Sequence, residues 1–159
     1  MKIFRQKNLT IALEEVAIVS ESTNRLFTVT LVDGQKIENI YISSSDGMKD
    51  FFEFEDSRNL KVYVNKKALK YIRSIPGLGY ELVTFSMDVP KYIHMNFSEK
   101  VVEDLDYESF IKSREDYFST RNIIGVEKVD EDYVNVYYKG SKDPVKFAYQ
   151  FEKLIDKLW

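Results

Sequence analysis

The chain has 159 residues, the size of one domain, and at that length folding removes roughly two-thirds of the unfolded surface from water, so a real core is available. Hydrophobic residues at 44% and aromatics at 14% exclude a disordered chain, and the lack of cysteine excludes disulfides, thiolate nucleophiles and zinc–thiolate sites together. A formal net charge of -3 argues against nonspecific nucleic-acid binding, no apolar run reaches the roughly 20 residues of a membrane span, and the start from Met1 to Asn8 lacks a signal-peptide core, so a cytoplasmic protein is expected.

In chain order, a first strand is expected around Ile11 to Ser20. Leu26 to Val32 and Lys36 to Ile42 flank Asp33-Gly34, a dipeptide that tolerates the positive φ of hairpin turns. A three-residue loop is preferred, with Leu31 expected opposite Ile37 and Phe27 opposite Tyr41. Met48, Phe51, Phe52 and Phe54 suggest a short helix from Asp46 to Glu55, capped by Ser45 or Asp46.

Leu60 to Val64 reads as a strand, and Asn65 is placed to cap a helix of Lys66 to Arg73 that Pro76-Gly77 stops. Tyr80 to Val89 alternates and is expected to pair with Tyr92 to Phe97 after Pro90. Tyr107, Phe110, Ile111, Arg114 and Phe118 recur at helical spacing, predicting an amphipathic helix from about Asp106 to Thr120.

Ile123 to Val129, Tyr133 to Tyr138 and Val145 to Tyr149 then form a meander, closed by a helix with Phe151, Leu154, Ile155 and Leu158 on one stripe. The expected fold is therefore one α+β domain over residues 1–159, a mainly antiparallel sheet with about four short helices packed on it. Val16 to Phe54 and Val126 to Trp159 share a pattern of strand, hairpin and helix, a faint trace of repetition.

Catalytic signals are sparse. His94 is the single histidine and falls with Tyr92 and Asn96 on one face of a strand. Asp104-Leu105-Asp106 and Asp130-Glu131-Asp132 could offer oxygen ligands to Mg²⁺, although the second lies between two apolar runs, where acids make turns. A metal-dependent hydrolase using Asp104, Asp106, Glu127 and Asp130 ranks last among the readings. Pro76-Gly77-Leu78-Gly79 lacks the length and the Lys-Ser/Thr of a phosphate loop. No cofactor, metal or catalytic residue is expected.

Lys66, Lys70 and Arg73 would share one face of the expected helix and could touch a nucleic-acid backbone. That segment, Val64 to Ile72, is similar in texture to LytTR-type DNA readers. The acidic side is richer: Asp50, Glu53, Glu55 and Asp56; Glu103, Asp104, Asp106 and Glu108; Asp130, Glu131 and Asp132. Grouped like charges repel one another but steer encounter with a basic surface, which makes these eleven residues the candidate partner-binding set.

In overall length, acidic balance and AT-rich texture, the chain resembles the small anti-CRISPR proteins that phages and other mobile elements direct against type II CRISPR nucleases. That resemblance implies a monomeric, stoichiometric inhibitor of a Cas9-type nuclease, working in the bacterial host cytoplasm and blocking DNA loading or nuclease-domain docking. An immunity protein against a toxin nuclease is the alternative in the same mechanical class.

Overall fold

The computed structural model describes residues 3–7, 9–42, 48, 50–55, 58–77, 79–85, 91–93, 103, 105 and 109–159, with the backbone alone at 91–93. A hairpin of β1 (Ile3–Gln6) and β2 (Leu9–Ala12) leads through a 3-10 turn, Leu13–Glu15, into a meander of β3 (Val16–Glu21), β4 (Phe27–Leu31) and β5 (Lys36–Ile40). A second hairpin, β6 (Phe51–Glu55) and β7 (Lys61–Asn65), precedes a second meander of β8 (Leu69–Ile75), β9 (Gly79–Thr84) and β10 (Lys91–Ile93). A third hairpin, β11 (Phe110–Ser113) and β12 (Asp116–Ser119), precedes a third meander of β13 (Ile123–Lys128), β14 (Tyr133–Tyr138) and β15 (Val145–Ala148). Helix α1 (Phe151–Leu158) follows.

The second and third hairpins each join the sheet of the meander before them, so the sheets run β5-β4-β3-β7-β6 and β10-β9-β8-β12-β11, all antiparallel. The two five-stranded sheets thus have one topology. β1-β2 and β13-β14-β15 form separate small sheets.

The register shows that this is repetition of one unit. Val16, Leu69 and Ile123 pair with Leu31, Thr84 and Tyr138, and in all three cases the ladder shifts at the next residue, placing Ala17, Lys70 and Ile124 at bulges. One further bond recurs: Val32, Phe85 and Lys139 donate their N–H to the carbonyls of Glu15, Ala68 and Asn122 at 2.9, 2.9 and 2.7 Å. Each hairpin ends at Ala12, Asn65 or Ser119, four residues before the meander begins. A repeat of 53 and then 54 residues links Val16, Leu69 and Ile123, and a bulge kept at the same position bends each first strand in the same way.

Because a strand sends alternate side chains to opposite faces, a stack of such sheets needs apolar residues on both faces. The cores obey this. Phe4, Val16, Val19, Phe27, Val29 and Tyr63 pack between the first hairpin and the first five-stranded sheet. Ile18, Phe52, Val62, Val64, Leu69, Ile72 and Tyr117 pack between the two large sheets. Ile111, Phe118, Val134, Val136, Phe147 and Leu154 pack between the second large sheet, the last meander and α1, with Phe118 and Phe147 stacked at 4.3 Å.

Three of the four expected helices are corrected. Phe51–Glu55 is β6, with Phe52 and Phe54 in one core and Phe51 in the other. Ser45 and Asp46, its expected cap, lie outside the described residues. Leu69–Ile75 is β8, so Lys66, Lys70 and Arg73 share no helix face; Asn65 caps a turn, its Oδ1 accepting the Lys67 N–H at 3.1 Å. Asp106 to Thr120 is a hairpin where described: Phe110 and Tyr117 enter one core, Ile111 and Phe118 the other, and Arg114 takes φ 58 at the turn. Apolar residues serving two faces mimic helical spacing.

The first expected strand is two strands, β2 and β3, broken by the 3-10 turn. The Asp33-Gly34 hairpin forms with Gly34 at φ 90, but its register is shifted: Val29 faces Ile37 and Phe27 faces Ile40, because Leu31 closes on Gln35. The expected pairings of Leu31 with Ile37 and Phe27 with Tyr41 do not occur. The last meander and α1 lie where their periodicity puts them. The result is an α+β fold whose core is sheet.

Candidate functional site

In the first two units, the face of the first two meander strands turned toward the next unit is largely covered, while β5 stays mostly exposed. Ala17 and Ile18 face the second sheet, and Tyr71 faces the third. In the third unit the same face turns to solvent. The bulge residue Ile124 is 65% exposed where its equivalents Ala17 and Lys70 are buried, and Val129, just past the other end of β13, is 42% exposed.

β14 supplies Tyr133, Asn135 and Tyr137 to this face by alternation, since Val134, Val136 and Tyr138 take the core. The face is polarised. At one corner the Tyr133 ring lies 4.7 Å from Lys146 Nζ and 5.6 Å from Arg114 Cζ. At the other, Glu127 Oε1 accepts from Asn135 Nδ2 at 2.9 Å and from the Tyr137 hydroxyl at 3.2 Å. Tyr137 is held above the ordinary phenol pKa, first by desolvation and then by that carboxylate.

The turn joining β13 to β14 carries the third acidic cluster. Asp130 Oδ1 accepts the N–H groups of Asp132 and Tyr133 at 2.8 and 2.9 Å, the Asx geometry by which an aspartate builds a turn. Glu131 reaches Lys128 Nζ at 3.2 Å and raises that ammonium's pKa. Asp132 is exposed. Among the described residues, no group of three or more acidic or histidine side chains is placed to hold a metal ion.

The other two clusters fall elsewhere. Glu53 and Glu55 lie exposed on β6, Glu53 at 3.6 Å from Lys61, and Asp50 occupies the turn before that strand. Glu103 is exposed on helical backbone; Asp56, Asp104, Asp106, Glu108 and His94 lie outside the described residues. The described acids therefore sit on three separate elements.

The basic trio expected to touch nucleic acid is spent on packing. Lys70 is 9% exposed, with Nζ 2.8 Å from Ser141 Oγ and 5.2 Å from the Tyr138 ring centre. Arg73 stands over Tyr71 and Phe147, donates to the Lys146 carbonyl at 2.8 Å and lies 3.7 Å from Asp116. Lys66 stands over Phe52, and its carbonyl accepts from Arg121.

A separate open hollow of about 410 Å³ is lined by Arg5, Gln6, Lys7 and the exposed Tyr41, beside the tip of the first hairpin. Sequence reading missed Ile124, Tyr133 and Tyr137 as a surface, although the alternation Tyr133-Asn135-Tyr137 marks one face of a strand. Among the described residues no helix is long and apolar enough to cross a membrane. Comparison of the chain with protein-family models, with curated proteins and with solved structures returns no match.

Proposed function

We propose that this chain is a non-enzymatic module that binds another protein, and that its contact surface is the outer face of β13-β14-β15 with the adjoining turn Asp130–Asp132. One observation carries the reading: the face that equivalent units cover with a neighbouring sheet here leaves Ile124 exposed, with Tyr133 and Tyr137 half-buried on it. Tyrosine gives large contact area at low entropic cost, and the acidic turn would draw in a basic partner. The partner proposed is a nuclease of the host's type II CRISPR system, on the chain's overall length, acidic balance and texture alone.

Titrating the protein into a DNA-cleavage reaction of a purified Cas9-type ribonucleoprotein tests this, with binding followed in parallel by interferometry. Inhibition should saturate at one inhibitor per nuclease. Ile124→Glu with Tyr137→Ser should weaken binding by about tenfold or more, as loss of a central apolar anchor does. Reversal of Asp130, Glu131 and Asp132 to Lys should slow association. Unchanged binding in both variants would remove this face from consideration, and a toxin nuclease inhibited in its place would favour the immunity reading. Consumption of a substrate over many turnovers would overturn the non-enzymatic reading itself.

A further inference from the structure

The repeat leaves two strand edges without the neighbour that their equivalents have. β3 and β8 each carry the second strand of the following hairpin, in matching register: Ile18 with Val64 and Val19 with Tyr63, then Tyr71 with Phe118 and Ile72 with Tyr117. Among the described residues β13, their equivalent, pairs with β14 alone, and β2, the equivalent of β7 and β12, pairs with β1 alone.

Helix α1 takes up the unfilled position. It lies against β13, its Leu154 is fully buried, and it shares a core with Ile111 and Phe118 of the third hairpin. Those two residues correspond to Phe52 and Val64, which are covered by the β11-β12 hairpin through Phe110 and Tyr117. An amphipathic helix can cover such a core but cannot pair with a strand edge, so α1 acts as a cap.

We propose that the β13 edge is a strand-acceptor site whose occupant is the β1-β2 hairpin of a second copy of this chain, held off by α1. The repeat fixes the register: Ile11 would face Gly125, Thr10 would face Val126 and Leu9 would face Glu127. Ile3, Arg5 and Thr10 correspond to Phe51, Glu53 and Tyr63, so Ile3, 52% exposed here, would enter the acceptor's core as Phe51 does.

Charge agrees with this pairing. The donor hairpin carries Arg5 and Lys7, and the acceptor strand carries Glu127 before its last residue, Lys128, and leads into the acidic turn Asp130–Asp132. The two internal junctions place a carboxylate on opposite partners: Glu21 Oε1 of β3 accepts the Lys61 N–H at 3.1 Å, and Asp116 Oδ1 of β12 accepts the Ser74 N–H at 2.8 Å, whereas the equivalent positions in the proposed contact are Lys128 and Leu9. Such head-to-tail contact does not close on itself by a two-fold axis, so it would grow beyond a dimer unless capped.

The cysteine-free chain makes the test clean. A Thr10→Cys chain is mixed with a Val126→Cys chain under mild oxidation, and the control replaces Val126→Cys with Ile124→Cys, which is more exposed and would win if collisions were random. Each pair is made in the intact background and in two backgrounds that loosen α1. Leu154→Ser removes the buried anchor. Glu152→Lys reverses the attraction between the helix start and Lys128 while leaving the core untouched.

Released chains should give about tenfold more Thr10–Val126 heterodimer than control, because disulfides form only at close Cβ separation, and intact chains should give little. Light scattering should show mass rising with concentration in released chains alone. Heterodimer at control levels in the Glu152→Lys background, with its circular dichroism unchanged, overturns the pairing. Equal cross-linking in intact and released chains overturns the role given to α1.

Discussion

Replacing Asn65 tests whether successive units are tied through their turns. Its side chain is 3% exposed; Nδ2 donates to the carbonyls of Leu13 and Val16 at 3.1 and 2.9 Å, and Oδ1 accepts the Lys67 N–H at 3.1 Å. The first two bonds cross from the second unit to the first, whereas the third is a local cap, which Ser119 Oγ repeats on Arg121 N–H at 3.0 Å. Loss of a turn cap costs about 0.5–1.5 kcal/mol, and stripping two buried carbonyls of their donor adds roughly 1–3 kcal/mol. Asn65→Ala should therefore destabilise by about 2–4 kcal/mol. Asn65→Ser, which copies Ser119, should recover the cap alone and fall between Ala and the native residue. Urea unfolding followed by far-ultraviolet circular dichroism measures both, with the midpoint read at constant slope. A loss under about 0.5 kcal/mol for Ala, or a Ser variant no better than Ala, would refute the reasoning.

Burial pushes the Tyr138 phenol far above the ordinary value near 10, and its hydroxyl donates to the Ser119 carbonyl at 2.7 Å. A raised pKa means that the folded state holds the proton after the unfolded state has lost it. The stabilisation is fully present below about pH 10 and falls by about 1.4 kcal/mol per pH unit above it. Chemical denaturation between pH 9 and pH 11 should show this slope reduced in Tyr138→Phe, which itself loses about 1 kcal/mol at neutral pH with the hydrogen bond; equal slopes would discount Tyr138. Gly34, at φ 90, and Gly125, whose added Cβ would meet Tyr137 at an ordinary 4.0 Å, make a contrasting pair. Gly34→Ala should cost about 1–2 kcal/mol through strain and Gly125→Ala well under 1 kcal/mol, both read as shifts in melting temperature.

The proposed contact surface was legible only as secondary structure. Tyr133, Asn135 and Tyr137 alternate with Val134, Val136 and Tyr138, so the strand and its inward face follow from the residues. That the outward side of this meander differs from those of the other two is a property of the stack, because each unit buries its neighbour. The acidic turn was legible as a turn, since Asp130 needs only its own backbone two and three residues on.

By itself the sequence determined the last meander and α1, where one sheet face meets solvent and polarity alternates with the pleat. It also determined the Asp33-Gly34 turn, whose positive φ needs glycine. The strand, hairpin and helix expected to recur at Val16–Phe54 and Val126–Trp159 is not the unit that forms: Phe51–Glu55 is strand, and the repeat starts at Val16, Leu69 and Ile123. Tertiary structure alone decided that Phe51–Glu55, Leu69–Ile75 and Phe110–Ser119 are strands. Each is packed on both faces, so apolar residues stand at neighbouring positions as well as alternate ones, and the two-residue period that would mark a strand disappears into a spacing that also suits a helix.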